Sequence, residues 1–120
     1  MALLQKTVLL VDDNAPLRES LAMVLEDEGV ETHQAGRGAE ALQLVRQVRV
    51  DLLVLDLNLP DMTGVTIYRS IERKAPCIFM TAEAGEELIE EALRLAPLRL
   101  LRKPFEVNLF RDLVRRGIAS

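Results

Sequence analysis

The segment that most restricts the fold is Leu52-Leu53-Val54-Leu55-Asp56, an apolar run that stops at a carboxylate. Unbroken Val/Leu runs of this length belong to strands buried on both faces, and such strands occur in parallel sheets covered by helices. The pattern recurs. Thr7-Val8-Leu9-Leu10-Val11 ends in Asp12 and Asp13, Cys77-Ile78-Phe79-Met80 ends in Thr81, and Leu98-Arg99-Leu100-Leu101 is followed closely by Lys103-Pro104. A fifth strand, Val30 to Gln34, has polar positions interleaved and suits a sheet edge.

Helical spacing fills the intervals. Asn14 is a good N-cap and Pro16 suits a first turn; Leu17, Leu21, Val24 and Leu25 then recur until Gly29 stops the helix. Ala41, Leu42, Val45 and Val48 place a stripe on a second helix. A third is expected from about Val65 to Lys74, with Val65, Tyr68 and Ile71 on one side and Pro76 ending it. A short acidic helix runs from Glu86 to about Leu95, and in a last helix Leu109, Phe110, Leu113 and Val114 form the buried stripe. Strands alternating five times with helices predict an α/β fold, a parallel sheet flanked by five helices and joined by right-handed crossovers.

With 120 residues and no linker, repeat or low-complexity tract, residues 1–120 are expected to form a single domain. A formal charge of -4 argues against direct contact with nucleic acid or an anionic membrane. No apolar run approaches the roughly 18 residues of a membrane span, so a cytoplasmic location is expected. The one cysteine, Cys77, lies inside an apolar run and reads as a buried thiol; His33, the one histidine, lies on the edge strand.

In an open parallel sheet the carboxyl ends of the strands share one edge, where ligands bind. Asp12, Asp13, Asp56, Thr81 and Lys103 are therefore expected to meet there. Two like charges about 4 Å apart repel by roughly 4 kcal/mol at an effective dielectric near 20, so three carboxylates call for a counter-charge. Mg²⁺ fits, because it takes oxygen ligands and keeps several waters; Lys103 adds a positive charge and Thr81 a hydroxyl donor. These are the parts that phosphoryl transfer onto a carboxylate requires: an ionised nucleophile, charge neutralisation, and donors for the equatorial oxygens.

The residues resemble the response-regulator receiver domains of two-component signalling, including the stand-alone chemotaxis type. The resemblance runs from about Val8 to Arg116. It rests on four ordered motifs: Val11-Asp12-Asp13, Asp56-Leu57-Asn58-Leu59-Pro60-Asp61-Met62-Thr63-Gly64, Met80-Thr81-Ala82 and Lys103-Pro104-Phe105. It implies a flavodoxin-like doubly wound sheet of order 2-1-3-4-5, with Asp56 as phosphoacceptor. Asp13, Asp56 and the backbone carbonyl of Asn58 would bind Mg²⁺ (or Mn²⁺) directly, and Asp12 largely through water. Thr81 and Lys103 would contact phosphoryl oxygens, and a cis Lys103-Pro104 bond would aim the lysine. The phosphoryl donor would be a sensor histidine kinase or a histidine phosphotransfer protein, and the domain would be a monomer or weak dimer that catalyses only its own phosphorylation and dephosphorylation. Asn58 and Glu83 occupy the positions that tune dephosphorylation in the family, and the pair matches the chemotaxis type, so a short-lived phosphorylated state is expected. Leu100 stands where an aromatic often acts as a rotamer switch, and Ala96-Pro97 stand where a Gly-containing turn is usual.

A phosphatase of the haloacid-dehalogenase type is the competing reading, since it also uses an Asp nucleophile, Mg²⁺, a Thr or Ser and a Lys. Order separates the two: there the nucleophile follows the first strand and the acidic pair comes late, whereas here Asp12-Asp13 comes first and Asn58 stands two beyond Asp56. A flavin-binding module of the same fold would need a phosphate-cradling Ser/Thr/Gly loop after the first strand, and none is present.

Overall fold

A computed structural model describes residues 5–119 of the chain; the two ends of the expected 1–120 domain lie outside the described residues. Five strands and five helices alternate along it: β1 (Thr7–Val11), α1 (Ala15–Asp27), β2 (Glu31–Ala35), α2 (Gly38–Gln47), β3 (Leu52–Asp56), α3 (Gly64–Ser70), β4 (Cys77–Thr81), α4 (Glu86–Arg94), β5 (Arg99–Arg102) and α5 (Val107–Ile118). All neighbouring strands pair in parallel, in the order β2-β1-β3-β4-β5. This is the order that the resemblance implied.

β1, β3 and β4 are buried at every position, which is what their unbroken apolar runs require, and the mixed sequences of β2 and β5 form the two edges. Because side chains alternate across a strand, consecutive residues of these runs feed two separate cores. Leu10, Val54 and Met80 pack with Leu25 of α1 and Phe110 of α5, while Leu9, Leu55 and Phe79 pack with Val65 and Ile67 of α3. Where α1 begins, Asn14 accepts a hydrogen bond from the Leu17 amide, and where it ends Gly29 adopts φ 81°. Gly29 and Val30 then donate their amides to Glu26 and Leu25 carbonyls, closing the last turn.

Several boundaries differ from expectation for local reasons. The second strand starts at Glu31 because the Val30 amide is spent on the end of α1. The third helix stops at Ser70 instead of near Lys74: Ile71 turns extended (φ -84°, ψ 123°) and is buried in the core, and the Tyr68 carbonyl accepts both the Ile71 amide and the Lys74 ammonium. In α5 the stripe is Phe110, Leu113, Val114 and Gly117; Leu109, one residue out of phase with it, is 36% exposed. The fifth strand is shifted by one residue, to Arg99–Arg102. Ala96 sits at φ 53°, a left-handed conformation normally left to glycine, at the turn where the family's glycine is usual. Cys77 and His33 are placed as expected, the thiol buried and the imidazole half-exposed on β2 beside Glu31.

Candidate functional site

Four of the five strands deliver a polar residue to the same edge. Asp12 follows β1, Asp56 ends β3, Thr81 ends β4 and Lys103 follows β5. The register aligns Val11 with Leu55, Asp56 with Met80, and Thr81 with Arg102, so each of these strands ends within one residue of its neighbour's end. One carboxylate oxygen from each of Asp12, Asp13 and Asp56 falls within a set no more than 4.8 Å across. Asp12 and Asp56 are buried, at 0% and 4% exposure, whereas Asp13 faces solvent.

Backbone and lysine divide the oxygens of the two buried carboxylates. Asp12 Oδ1 accepts from the Asn14 amide and Asp56 Oδ1 from the Asn58 amide, both at 2.9 Å. Lys103 Nζ reaches Asp12 Oδ2 at 2.7 Å and Asp56 Oδ2 at 2.8 Å, and the Lys103-Pro104 peptide is cis. Burial pushes the Asp56 carboxyl above its ordinary range, with the charge of Asp12 adding to the push; the bonds from Lys103 and the Asn58 amide oppose it without cancelling it. Burial alone would lower the lysine, but its bonds to Asp12 and Asp56 outweigh that and hold it above its ordinary value. The lysine therefore stays charged, and even so one cation does not fully compensate the acidic group.

Thr81 Oγ1 is buried and has no hydrogen-bond partner. A buried hydroxyl left unpaired costs about 1–3 kcal/mol, so it points to a polar group that the protein itself does not supply. The acidic group likewise fits a hard divalent cation: its donors are carboxylate oxygens, and the solvent-facing side at Asp13 leaves room for water ligands. Asp12, Asp13, Asp56, Thr81 and Lys103 are thus brought together as the sequence indicated.

The loop between β3 and α3 shapes the other wall. Asn58 bridges to Thr63, Leu59 donates to the Met62 carbonyl, and the Gly64 amide returns to the Leu57 carbonyl. Asn58 Nδ2 donates to the Glu83 carbonyl at 2.5 Å, joining this loop to the one after β4. A Cβ on Gly64 would stand 2.5 Å from the carbonyl oxygen of Asp56, so any side chain there collides with the backbone that carries the carboxylate. Leu100 is half-buried beside Phe79 in the register, in the core that also holds α3 residues, and Pro104 is exposed.

Two residues of this edge escaped the sequence reading. Arg18 donates through Nη1 to the Asp12 carbonyl at 2.6 Å and through Nε to Gln34, tying the end of β1 to the neighbouring strand. Asp61, which the sequence shows only as part of the motif from Asp56 to Gly64, accepts from the Gly38 and Ala39 amides at 2.8 and 2.9 Å, and these bonds hold its carboxyl below the ordinary range. Neither contact has a sequence signal, because each depends on a partner from another element.

Comparison with known proteins agrees with this geometry. Residues 8–115 match the family model described as the response regulator receiver domain. The chain is 34% identical to sporulation initiation phosphotransferase F of Bacillus subtilis over 117 residues, covering 95% of this chain and 94% of that protein. It is 35% identical to the DNA-binding response regulator MtrA of Mycobacterium tuberculosis, where it covers 88% of this chain but 47% of the relative, so it spans about half of that protein's length. The chemotaxis response regulator CheY4 of Vibrio cholerae superposes with a TM-score of 0.83 at 28% identity, over 95% of this chain and 99% of that one. These matches give no support to the phosphatase reading.

Proposed function

The chain belongs to the response regulator receiver domains, signalling proteins phosphorylated on an aspartate, and from that membership we propose that Asp56 is the phosphoacceptor of this one. The observation that carries the assignment is the setting of its carboxylate. Asp56 is a buried strand-end carboxylate with the Asn58 amide on one oxygen and Lys103 on the other, and Thr81, whose hydroxyl is unpaired, ends the adjacent strand.

In the proposed reaction a carboxylate oxygen of Asp56 attacks phosphorus in line with the donor's imidazole nitrogen. The P–N bond breaks as the P–O bond of an acyl phosphate forms. No general base is needed because the nucleophile is already ionised. Lys103, held between Asp12 and Asp56, donates to one phosphoryl oxygen, and the Thr81 hydroxyl gains its missing partner by donating to another. Asp13, Asp56 and the Asn58 carbonyl would hold Mg²⁺, or Mn²⁺, with Asp12 acting largely through water; the cation supplies neutralisation of the charge carried by the transferred group.

The donor is proposed to be a histidine kinase or phosphotransfer protein. An apolar groove lined by Leu17, Leu21, Phe105 and Val107 opens beside Lys103 and gives a donor helix a surface to rest on. Asn58 and Glu83 set a short-lived phosphoryl group, and with Leu100 in place of an aromatic the switch runs through Thr81 and its loop. No helix among the described residues is long and apolar enough to cross a membrane, in keeping with a cytoplasmic location. Residues 1–120 are read as one receiver domain, monomeric or weakly dimeric, making no direct contact with nucleic acid and catalysing no reaction but its own phosphorylation and dephosphorylation.

Incubation with Mg²⁺ and a small acyl phosphate, followed by intact mass, tests the assignment. The wild type is expected to gain one base-labile phosphoryl group and Asp56→Asn none; equal gain by both would overturn it.

A further inference from the structure

α2 lacks a cap of its own. Arg37 stands at its N-cap and makes no side-chain hydrogen bond to the helix. The open Gly38 and Ala39 amides are instead taken, one by each oxygen, by Asp61 from the loop after β3. A second observation places the same two elements in close contact. A Cβ on Gly38 would overlap the Met62 side chain, so the start of the helix rests directly on that loop.

The loop is internally closed by the Asn58–Thr63 bridge and by the Leu59-to-Met62 and Gly64-to-Leu57 bonds. It therefore shifts as a unit rather than residue by residue. One end is fixed at Asp56, through the Asn58 amide on Oδ1, and Asp61 fixes the other to α2. Asn58, whose backbone carbonyl is the cation ligand proposed above, lies between these two anchors.

We propose that Asp61 is a positioning residue for the cation, setting the placement of the loop so that the Asn58 carbonyl points into the Asp12–Asp13–Asp56 cluster. This rests on the reading of that cluster as a Mg²⁺ site. A bare helix cap would serve α2 equally well from position 37; a cap delivered from 22 residues away joins the helix to the ligand-bearing loop. Residues that orient metal ligands typically account for 10–100-fold in metal affinity.

The test is Mg²⁺ binding by calorimetry on the 120-residue chain, with thermal midpoints in the absence of Mg²⁺ as the measure of stability. Asp61→Ala is expected to weaken Mg²⁺ binding by about tenfold. The Mg²⁺ concentration giving half-maximal phosphorylation by an acyl phosphate is expected to rise by the same factor. Adding Arg37→Ser, which gives α2 a local cap, is expected to return the thermal midpoint toward wild type and leave Mg²⁺ affinity low. The proposal is overturned if Asp61→Ala binds Mg²⁺ as the wild type does, or if the double variant recovers affinity together with stability. A wild type that does not bind Mg²⁺ would instead remove the metal site, and this role for Asp61 with it.

Discussion

Thr81 carries the one buried side-chain polar atom without a partner among the described residues, and it sits where the proposed chemistry calls for a donor. Exchange for valine keeps nearly the same shape and removes the unpaired hydroxyl. Thr81→Val is therefore expected to stabilise the metal-free protein by about 1 kcal/mol, or roughly 3 °C in thermal midpoint, while slowing phosphorylation by acyl phosphate. Calorimetric scanning beside intact-mass time courses measures both, and a lower midpoint would mean that the hydroxyl is satisfied in solution. At this scale the site was largely legible. Asp12, Asp13, Asp56, Thr81 and Lys103 each follow an apolar run, and a parallel sheet brings the ends of such runs to one edge. Asp61 and Arg18 were not legible, since an Asp in a turn and an Arg on a helix carry the same local signal whatever they touch.

Among the elements, α1 and α5 are joined across their outer ends by Glu28, which accepts from Arg115 at 2.5 Å and lies 4.0 Å from Arg111. The Arg115 hydrogen bond holds the Glu28 carboxyl below its ordinary value of 4.5. A carboxyl depressed in the folded state contributes stability that is present above pH 4.5 and is lost as the pH falls through the folded value, because there the unfolded chain binds more protons. Arg115→Gln is accordingly expected to be less stable than wild type at pH 6 and to approach it near pH 3, as read from urea midpoints at the two values. A gap that stays constant across that range would show that the contact is packing and not charge. The helices themselves were legible from their stripes, but their ends were less so. The stop at Ser70 depends on Ile71 finding the core in an extended conformation, and the exposure of Leu109 depends on which face of α5 the sheet accepts.

For the whole molecule, the sheet separates two cores, and every residue of the proposed chemistry lies at the edge where both end. The acidic cluster contributes repulsion and burial to the folded state, whereas Gly64 provides the space in which the Asp56 backbone sits, 2.5 Å from where a Cβ would be. In a library of single substitutions scored for abundance in cells, Asp56→Asn and Asp13→Asn are expected to accumulate at or above the wild-type level and every replacement of Gly64 to fall well below it. Scoring the same library for phosphorylation would reject all of them alike. Inheritance is then asymmetric: a lineage can give up the signal by changing one carboxylate and still pass on a sound protein, while the silent glycine beneath it admits almost no descent with modification.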